Sequence, residues 1–218
     1  MSFENVDTLY ENQQFQKGFD ELKLRYKSGE DTCEVLWRMC RFCHDISNML
    51  TGEQKKHMVF EGRNYGLRAV DLDPACFMAA KWAAILYGIS VDMMSMKDKI
   101  NEGGKLKDLL DKALELDPTD FALLHLRARF SFTLANLSWL ERNEVPKASI
   151  DDALADFEAA YKSQEDWIEN LLYLAKCLVT KKEKARAREL LNKALQLPAD
   201  SNSDQELQSE CKKLLEKC

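Results

Sequence analysis

Residues 171–198 have the sequence LLYLAKCLVTKKEKARARELLNKALQLP, in which two segments with helical periodicity flank a short charged turn. Apolar residues recur in the first segment at i, i+3, i+4 and i+7, the spacing of one helix face: Leu171, Leu174, Ala175 and Leu178. The second segment ends at a proline, which cannot continue a helix. The stretch therefore predicts a helix, a turn and a second helix that pack through their apolar faces.

The ending of the second helix recurs along the chain. Variants of an Ala-x-x-Leu-x-Pro ending are GLRAVDLDP at 66–74, DKALELDP at 111–118 and NKALQLP at 192–198. A fourth segment, DALADFEAAYKS at 152–163, shares the core of this pattern without the proline. Small or apolar residues occupy the same aligned positions in all four segments. This repetition predicts four helix–turn–helix units.

The repeated unit resembles the tetratricopeptide repeat, a helix–turn–helix of about 34 residues. The resemblance implies an all-α, tetratricopeptide-like helical-repeat solenoid with extended helices and inter-helix insertions, capped by N- and C-terminal helices. The predicted boundaries are 1–30 for the N-terminal cap, about 31–76, 77–120, 121–166 and 167–200 for the units, and 201–218 for the C-terminal cap. We expect the caps to be amphipathic helices at 7–27 and 203–217.

The first three units are longer than the last by 9, 10 and 13 residues, and we place the extra residues between the two helices of each unit. Gly103–Gly104 and Pro146 are predicted to mark turns there, because both residue types interrupt helices. The apolar residues of the insertions either pack the lengthened helices together, which we favour, or form a partner-binding patch. They are Met93, Met94, Met96, Trp139 and Leu140.

The composition excludes several classes of protein. The 218 residues carry a net charge of −6, so an overall basic footprint for nucleic acid is absent. The start, MSFENVDTLYENQQ, lacks the regions of a signal peptide, and the most apolar window is too short to span a bilayer. The seven cysteines are scattered and odd in number, which indicates a reduced compartment. We expect a cytoplasmic monomer without membrane insertion.

The stretch CRFCH at 40–44 has the spacing that attaches a c-type haem. On a helix, however, Cys40, Cys43 and His44 share the most apolar face, and cysteine packs as a small hydrophobe. Cys33 lies on the same helix, and ligands on one straight helix cannot close a tetrahedron without a partner elsewhere. We favour core packing over a metal, redox or haem site, and we predict no cofactor and no metal ligand.

The sequence holds no phosphate-cradling glycine loop, nucleophile elbow or zinc-protease motif, so we expect a protein that is not an enzyme. A stacked helical array instead offers a concave groove lined by the first helix of each unit. In every unit the predicted groove positions place a basic residue beside an apolar one. The candidate partner-binding residues are Arg38, Phe42, Lys81, His125, Arg129, Phe132 and Lys176.

Such a row suits an extended acidic peptide, because charges set orientation while apolar neighbours supply contact area. The competing interpretation is a solvated helix face whose Lys and Arg stems cover apolar surface. A second basic surface lies at the turn between the last two helices, where ordinary helix-surface charge is again the competing interpretation. This alternative patch consists of Lys181, Lys182, Lys184, Arg186 and Arg188.

Four segments carry a more specific resemblance: GRNYGLRAVDLDP, KWAAILYG, LDKALELDPTD and LHLRARFSFTLANLSWLER. Together they resemble the regulator of microtubule dynamics family, whose members are tetratricopeptide-like. The resemblance implies a microtubule-binding protein of the cytoskeleton and spindle that influences microtubule growth, mitosis and chromosome segregation. It includes no compact motif that transfers a binding residue to this chain.

Tubulin tails are acidic and extended, so binding to a chain of net charge −6 needs a local basic surface. The groove residues are our first candidate for that surface, and the patch at 181–188 is the alternative. Acidic segments of other spindle proteins are further candidate partners. The competing function is a peptide-binding adaptor that reaches microtubules only through another protein.

Overall fold

The computed structural model describes residues 2–137, 147–199 and 201–218, and these residues form α-helices without any β-strand. The helices are α1 (Glu4–Glu11), α2 (Phe15–Lys27), α3 (Cys33–Asn48), α4 (Gly52–Leu72), α5 (Phe77–Asp92), α6 (Met96–Leu116), α7 (Phe121–Ala135), α8 (Ile150–Ser163), α9 (Ile168–Thr180), α10 (Lys184–Gln196) and α11 (Asn202–Leu215). The predicted all-α class is confirmed. Within the described ranges, no helix combines the length and apolar character that crossing a membrane requires.

The chain divides into two compact units, Met1–Asp117 and Pro118–Cys218. In the first unit, α3 packs against α2, α4 and α5, and α6 packs against α5. In the second unit, α7 packs against α8, α8 against α9, α9 against α10, and α11 against both α9 and α10. Within each unit, helices that follow one another in sequence are thus neighbours in space, as helical repeats require. The boundaries of the four repeats stay a prediction.

Glycines of α4 explain how closely α3 and α5 approach it. A Cβ added at Gly62 would lie 2.5 Å from Cβ of Cys43, and one added at Gly66 would lie 2.8 Å from Cα of Ala83. Both distances are too short for real atoms, so a larger residue would push a neighbouring helix away. Glycine at these two positions of α4 therefore lets α3 and α5 approach closely in the first unit.

The CRFCH stretch belongs to the same core. Cys40 and Cys43 are fully buried, and Sγ of Cys40 donates to the main-chain oxygen of Trp82 at 3.4 Å. His44 is half-buried, with its ring centre 5.4 Å from that of Trp82. Burial raises the pKa of both thiols well above the usual range, which keeps them protonated and unreactive. The interpretation of these cysteines as core packing is confirmed.

The N-terminal region differs from the single helix predicted at 7–27. It forms α1 and α2, because Gln13 between them has a φ of 57°, in the left-handed region, where the chain reverses. The reversal lets Val6 of α1 and Phe19 of α2 enter one buried cluster with Phe42 of α3. The apolar burial in this cluster outweighs the unfavourable backbone conformation at one residue.

The first two insertions lengthen the second helices of their units, α4 and α6, instead of forming long loops, and most of the third insertion lies outside the described residues. Helices α4 and α6 each span 21 residues, whereas α10 spans 13. The predicted turn at Gly103–Gly104 is wrong, because both glycines lie inside α6. The chain already reverses before α6, where the Ser95 hydroxyl accepts a hydrogen bond from the backbone N–H of Asp98 and caps the helix.

The apolar residues of the insertions lie in different surroundings. Met93 packs against a buried cluster formed by α3, α4 and α5, as the packing interpretation predicts. Met94 lines an open cleft of about 390 Å³, and Met96 is 51% exposed. Among these three methionines, Met93 is therefore the one that packs against the helices as predicted. Trp139, Leu140 and Pro146 lie outside the described residues.

Candidate partner-binding surfaces

Arg38 of α3, the first predicted groove residue, is held inside the first unit. Its guanidinium donates to both carboxylate oxygens of Asp7, at 3.0 and 2.9 Å, and to the main-chain oxygen of Glu34 at 3.1 Å. It also lies 4.1 Å from the centre of the Phe3 ring. Only 9% of Arg38 is exposed. Arg38 therefore contacts the chain's own N-terminal segment and does not face an open groove.

Phe42, one turn further along α3, is fully buried. A Cβ added at Gly18 of α2 would lie 2.3 Å from Cζ of Phe42, and the Tyr10 ring meets the Phe42 ring edge-on at 5.5 Å. The prediction that Phe42 lines an open groove is wrong, because α1 and α2 cover this face of α3.

Asp7 and Arg41 complete the contact between α1 and α3, and the sequence pattern did not single out either residue. Arg41 donates to Oδ1 of Asp7 at 2.8 Å and stacks 3.7 Å from the centre of the Tyr10 ring. Burial acts to raise the pKa of Asp7, but the hydrogen bonds and charges of Arg38 and Arg41 outweigh burial and lower it. The sequence feature that could have identified Asp7 is the stretch ENVDTLYE, in which Asp7 lies between the apolar residues Val6 and Leu9.

Lys81 of α5 is the third predicted groove residue of the first unit. It is half-buried, and its Nζ lies 5.9 Å from the centre of the Phe77 ring. A lysine in this position covers apolar surface with its stem and keeps the ammonium near solvent. Lys81 thus fits the solvated-face interpretation at least as well as a binding role.

Three predicted residues of the second unit come together around an aromatic ring. Arg129 and Lys176 place their cationic groups 5.1 and 4.2 Å from the centre of the Tyr173 ring. The ring of Phe132 meets the same tyrosine at 6.0 Å, nearly perpendicular to it. All four side chains are half-buried. We call Arg129, Phe132, Tyr173 and Lys176 the α7–α9 surface.

The cations of the α7–α9 surface have acidic neighbours. Arg129 donates to Glu169 at 2.8 Å, and Lys176 donates to Glu210 at 2.9 Å. Burial acts to raise the pKa of Glu169, but the nearby His125, Arg129 and Lys176 outweigh burial and lower it. Glu169 is therefore ionised at neutral pH. An acidic peptide at this surface would compete with carboxylates that are already in place.

His125, also predicted to line the groove, is a core residue with 4% of its surface exposed. Its Nδ1 lies 2.9 Å from Oδ1 of Asn170, and the Asn170 amide donates to the main-chain oxygen of Phe157 at 3.1 Å. The His125 ring centre is 4.1 Å from that of Trp167. The prediction that His125 faces a groove is wrong, since the side chain is buried and its Nδ1 joins α7 to Asn170 of α9, whose amide in turn joins α8.

The alternative basic patch occupies the turn between α9 and α10 and the first turns of α10. Its five side chains, which we call the α9–α10 surface, are all exposed: Lys181, Lys182, Lys184, Arg186 and Arg188. Lys182 has a φ of 67° and stands at the tip of the turn. Lys184 and Arg188 donate to the main-chain oxygens of Lys217 and Cys218, at 2.8 and 2.5 Å.

Two members of the α9–α10 surface form ion pairs with carboxylates. Lys181 pairs with Asp151, and Arg186 pairs with Glu158 at 2.6 Å. Ion pairs between exposed side chains contribute little to stability, so a carboxylate-rich partner can replace them. Of the predicted binding residues, those of the α9–α10 surface are the most accessible.

The sequence matches a family described as "Regulator of microtubule dynamics protein 1-3" over residues 2–218. A curated protein of Caenorhabditis elegans, named Regulator of microtubule dynamics protein 1, is 62% identical over 100% of this chain and 99% of its own length. The protein of the same name from Bos taurus is 32% identical over 97% of this chain and 69% of its own length.

Solved structures of tetratricopeptide-repeat type share the fold. A thermophilic tetratricopeptide-repeat protein of Thermus thermophilus matches with a TM-score of 0.63 over 96% of both chains, at 15% identity. MamA from Desulfovibrio magneticus matches with a TM-score of 0.56 over 94% of this chain and 92% of its own, at 12% identity. At such low identity the likeness concerns the fold alone, and it confirms the predicted tetratricopeptide-like architecture.

Proposed function

This chain belongs to the regulator of microtubule dynamics family, and on that premise we propose that it binds microtubules directly through the α9–α10 surface. In this role it regulates microtubule growth and chromosome segregation at the spindle, and it does so without catalysing a reaction. The proposed ligands are the acidic, extended tails of tubulin.

The exposure of the α9–α10 surface is the observation that carries the proposal. Five Lys or Arg side chains stand within residues 181–188, and all of them are exposed. By contrast, Arg38 and His125 are both buried. A flexible acidic tail needs cations that it can reach without disturbing the fold, and the α9–α10 surface offers such a group.

Local charge supports binding although the whole chain is acidic. A net charge of −6 repels an acidic polymer, but salt screens that repulsion beyond ~8 Å at physiological ionic strength. At contact distance, neighbouring cations attract carboxylates and accelerate association. Affinity should therefore fall steeply as the salt concentration rises.

Co-sedimentation of the purified chain with purified microtubules tests the proposal. The variant Lys182→Glu/Lys184→Glu/Arg188→Glu should bind about tenfold more weakly or worse, because charge reversal turns attraction into repulsion. A matched control, Lys17→Glu/Lys27→Glu/Lys97→Glu, changes the net charge equally at exposed residues of the first unit. The control should bind like the parent chain, and circular dichroism should show that both variants are folded.

Three results would contradict direct binding through this surface. One is unchanged sedimentation of the α9–α10 variant. Another is an equal loss in the matched control, which would indicate that net charge alone determines binding. The third is binding that does not weaken as salt is raised.

The second candidate function is a peptide-binding adaptor, and the α7–α9 surface favours it. Phe132 and Tyr173 offer half-exposed aromatic area beside Arg129 and Lys176, which suits a peptide with apolar and acidic residues. An adaptor would not sediment with microtubules by itself. Its recruitment by a partner would be lost with Phe132→Ala but kept by the α9–α10 variant.

A further inference from the structure

Three potential metal ligands meet where α3 and α5 begin in the first unit. Cys33 is the first residue of α3, Asp73 follows the last residue of α4, and Cys76 precedes the first residue of α5. Their two sulfur atoms and one carboxylate oxygen all lie within 4.8 Å of one another. Residues far apart in sequence thus form one compact cluster of donors.

The donor types fit a thiophilic cation such as zinc. Zinc is bound by thiolate sulfur and carboxylate oxygen at about 2.0–2.3 Å, which sets neighbouring ligand atoms roughly 3.3–3.8 Å apart. The observed separations are close enough that small side-chain rotations would complete this geometry. Thiolates also favour zinc over magnesium or calcium, which prefer oxygen ligands.

The segments that carry the donors are fixed by hydrogen bonds. In the turn between α4 and α5, the Ala75 N–H donates to Oδ1 of Asp73 at 3.1 Å, and the Cys76 N–H donates to the main-chain oxygen of Asp73 at 3.2 Å. At the start of α3, the Thr32 hydroxyl accepts from the Val35 N–H. Rigid backbone segments lower the cost of gathering ligands around an ion.

The surroundings of the cluster allow a cation to enter from solvent. Cys33 and Cys76 are half-buried and Asp73 is exposed, so an ion and a water molecule can reach the cluster. Burial, and after it the neighbouring Cys76, raises the pKa of the Cys33 thiol, so a cation has to displace the thiol proton when it binds. Three groups that are anionic as ligands repel one another at this distance, and a bound divalent cation would remove that repulsion.

We propose that Cys33, Asp73 and Cys76 bind one zinc-like divalent cation, with a water molecule as the fourth ligand. The ion would join the starts of α3 and α5 to the end of α4, and so fasten the first unit independently of any microtubule contact. Cys33 thereby finds ligand partners outside its own helix, whereas the CRFCH cysteines remain core residues.

Titration of the reduced, full-length chain with Co²⁺ tests this site, because cobalt bound by thiolates gives a charge-transfer absorption that oxygen-bound cobalt lacks. We expect the absorption to saturate at about one ion per chain and to disappear when Zn²⁺ is added. Cys33→Ser and Cys76→Ser should each abolish it, and Asp73→Asn should weaken cobalt binding roughly tenfold or more.

Matched controls separate this site from general thiol or carboxylate binding. Cys218→Ser changes a half-buried cysteine elsewhere, and Asp71→Asn changes an exposed carboxylate two residues from Asp73. Both should keep the absorption. In thermal unfolding, Zn²⁺ should raise the Tm of the parent chain but not that of Cys33→Ser/Cys76→Ser.

Two outcomes would overturn the proposal. One is a parent chain that gives no thiolate–cobalt absorption although thiol titration shows Cys33 and Cys76 to be reduced. The other is an absorption that persists in the Cys33→Ser/Cys76→Ser variant. Because neither readout involves microtubules, failure here leaves the proposed microtubule function separately testable.

Discussion

Helices α3 and α9 each carry a predicted basic groove residue, yet the two residues have different surroundings. The Arg38 side chain on α3 is 11% exposed and bound to Asp7, whereas the Lys176 side chain on α9 is 26% exposed and paired with Glu210. In the first unit, that face of α3 contacts Phe3 just before α1, Asp7 of α1 and Gly18 of α2. In the second unit, α11 reaches Lys176 through one ion pair and leaves Tyr173 and Phe132 half-exposed.

This difference shows that a helix-surface pattern does not by itself make a binding surface. A basic residue beside an apolar one is able to bind a partner where it is exposed to solvent. Where another helix covers it, the same pair stabilises the fold instead. At Arg38 and Phe42, the first unit uses the pattern for internal packing. The second unit keeps part of it accessible, and the following predictions test that contrast.

Truncation of the two phenylalanines should give the largest difference. Phe42→Ala should destabilise the chain by about 3–5 kcal/mol, because a fully buried ring is removed and a cavity remains. Phe132→Ala should lower the free energy of unfolding by only about 1–2 kcal/mol, because Phe132 is half-buried. Urea unfolding followed by circular dichroism measures both. Similar values would show that the two surfaces are equally covered.

Truncation of the two basic residues should give the next largest effect. Arg38→Ala removes one of the two arginines that pair with Asp7, together with packing on Phe3, and we expect a loss of about 2–3 kcal/mol. Lys176→Ala should change the free energy of unfolding by less than about 0.5 kcal/mol, as is usual for a surface pair. The contrast would fail if Lys176→Ala destabilised the chain as strongly as Arg38→Ala.

The tightness of the α2–α3 contact can be tested with two glycines. Gly18→Ala would place Cβ 2.3 Å from the buried Phe42 ring and should destabilise the chain by about 1–3 kcal/mol. Gly104→Ala meets nothing within 4 Å inside α6 and should stabilise it by about 0.5–1 kcal/mol. Midpoints of chemical unfolding should therefore move in opposite directions. A shift of Gly18→Ala to higher stability would show that α2 lies loosely on α3.

The smallest effect concerns pH. The pKa of Asp7 is lowered in the folded chain, so its stabilisation is complete above the usual pKa of about 4 and is lost as pH falls through the lower, folded value. Asp7→Asn should be less stable than the parent chain by about 1 kcal/mol near neutral pH, a modest amount because Asp7 is partly exposed. The gap should close in acid. Unfolding measured from pH 7 to pH 2 checks this, and a gap that widens in acid would contradict the assigned pairing.

The microtubule variants extend the same contrast to function. We assume that the α9–α10 surface binds microtubules and that the chain's own N-terminal segment covers α3 in the first unit. Charge reversal at Lys182, Lys184 and Arg188 should then weaken microtubule binding, whereas the first-unit control should bind like the parent chain. Arg38→Ala should then affect binding only to the extent that it unfolds the chain.

Local periodicity explains how much of this protein is predictable from its sequence. The spacing of apolar residues on one helix face depends only on the 3.6 residues per turn. The helices around CRFCH and in residues 171–198 can therefore be predicted from the local sequence. The small or apolar residues that recur in the repeat endings likewise indicated where helices pack, and Gly66 of α4 is one such contact. Burial of Cys40 and Cys43 follows from the same face. These features need no knowledge of distant contacts.

Distant contacts explain what the sequence pattern missed. The reversal at Gln13 is favourable only because Val6 finds a buried site with Phe42, and no residue near Gln13 encodes that site. The meeting of Cys33 with Asp73 and Cys76 likewise depends on how α3, α4 and α5 pack.

The sequence by itself thus determined the helices of the repeats, their apolar faces and the recurring small or apolar residues, because these are set by local geometry. Only the tertiary structure decided which faces are covered and which donors meet, because burial and proximity depend on the packing of segments far apart in the chain.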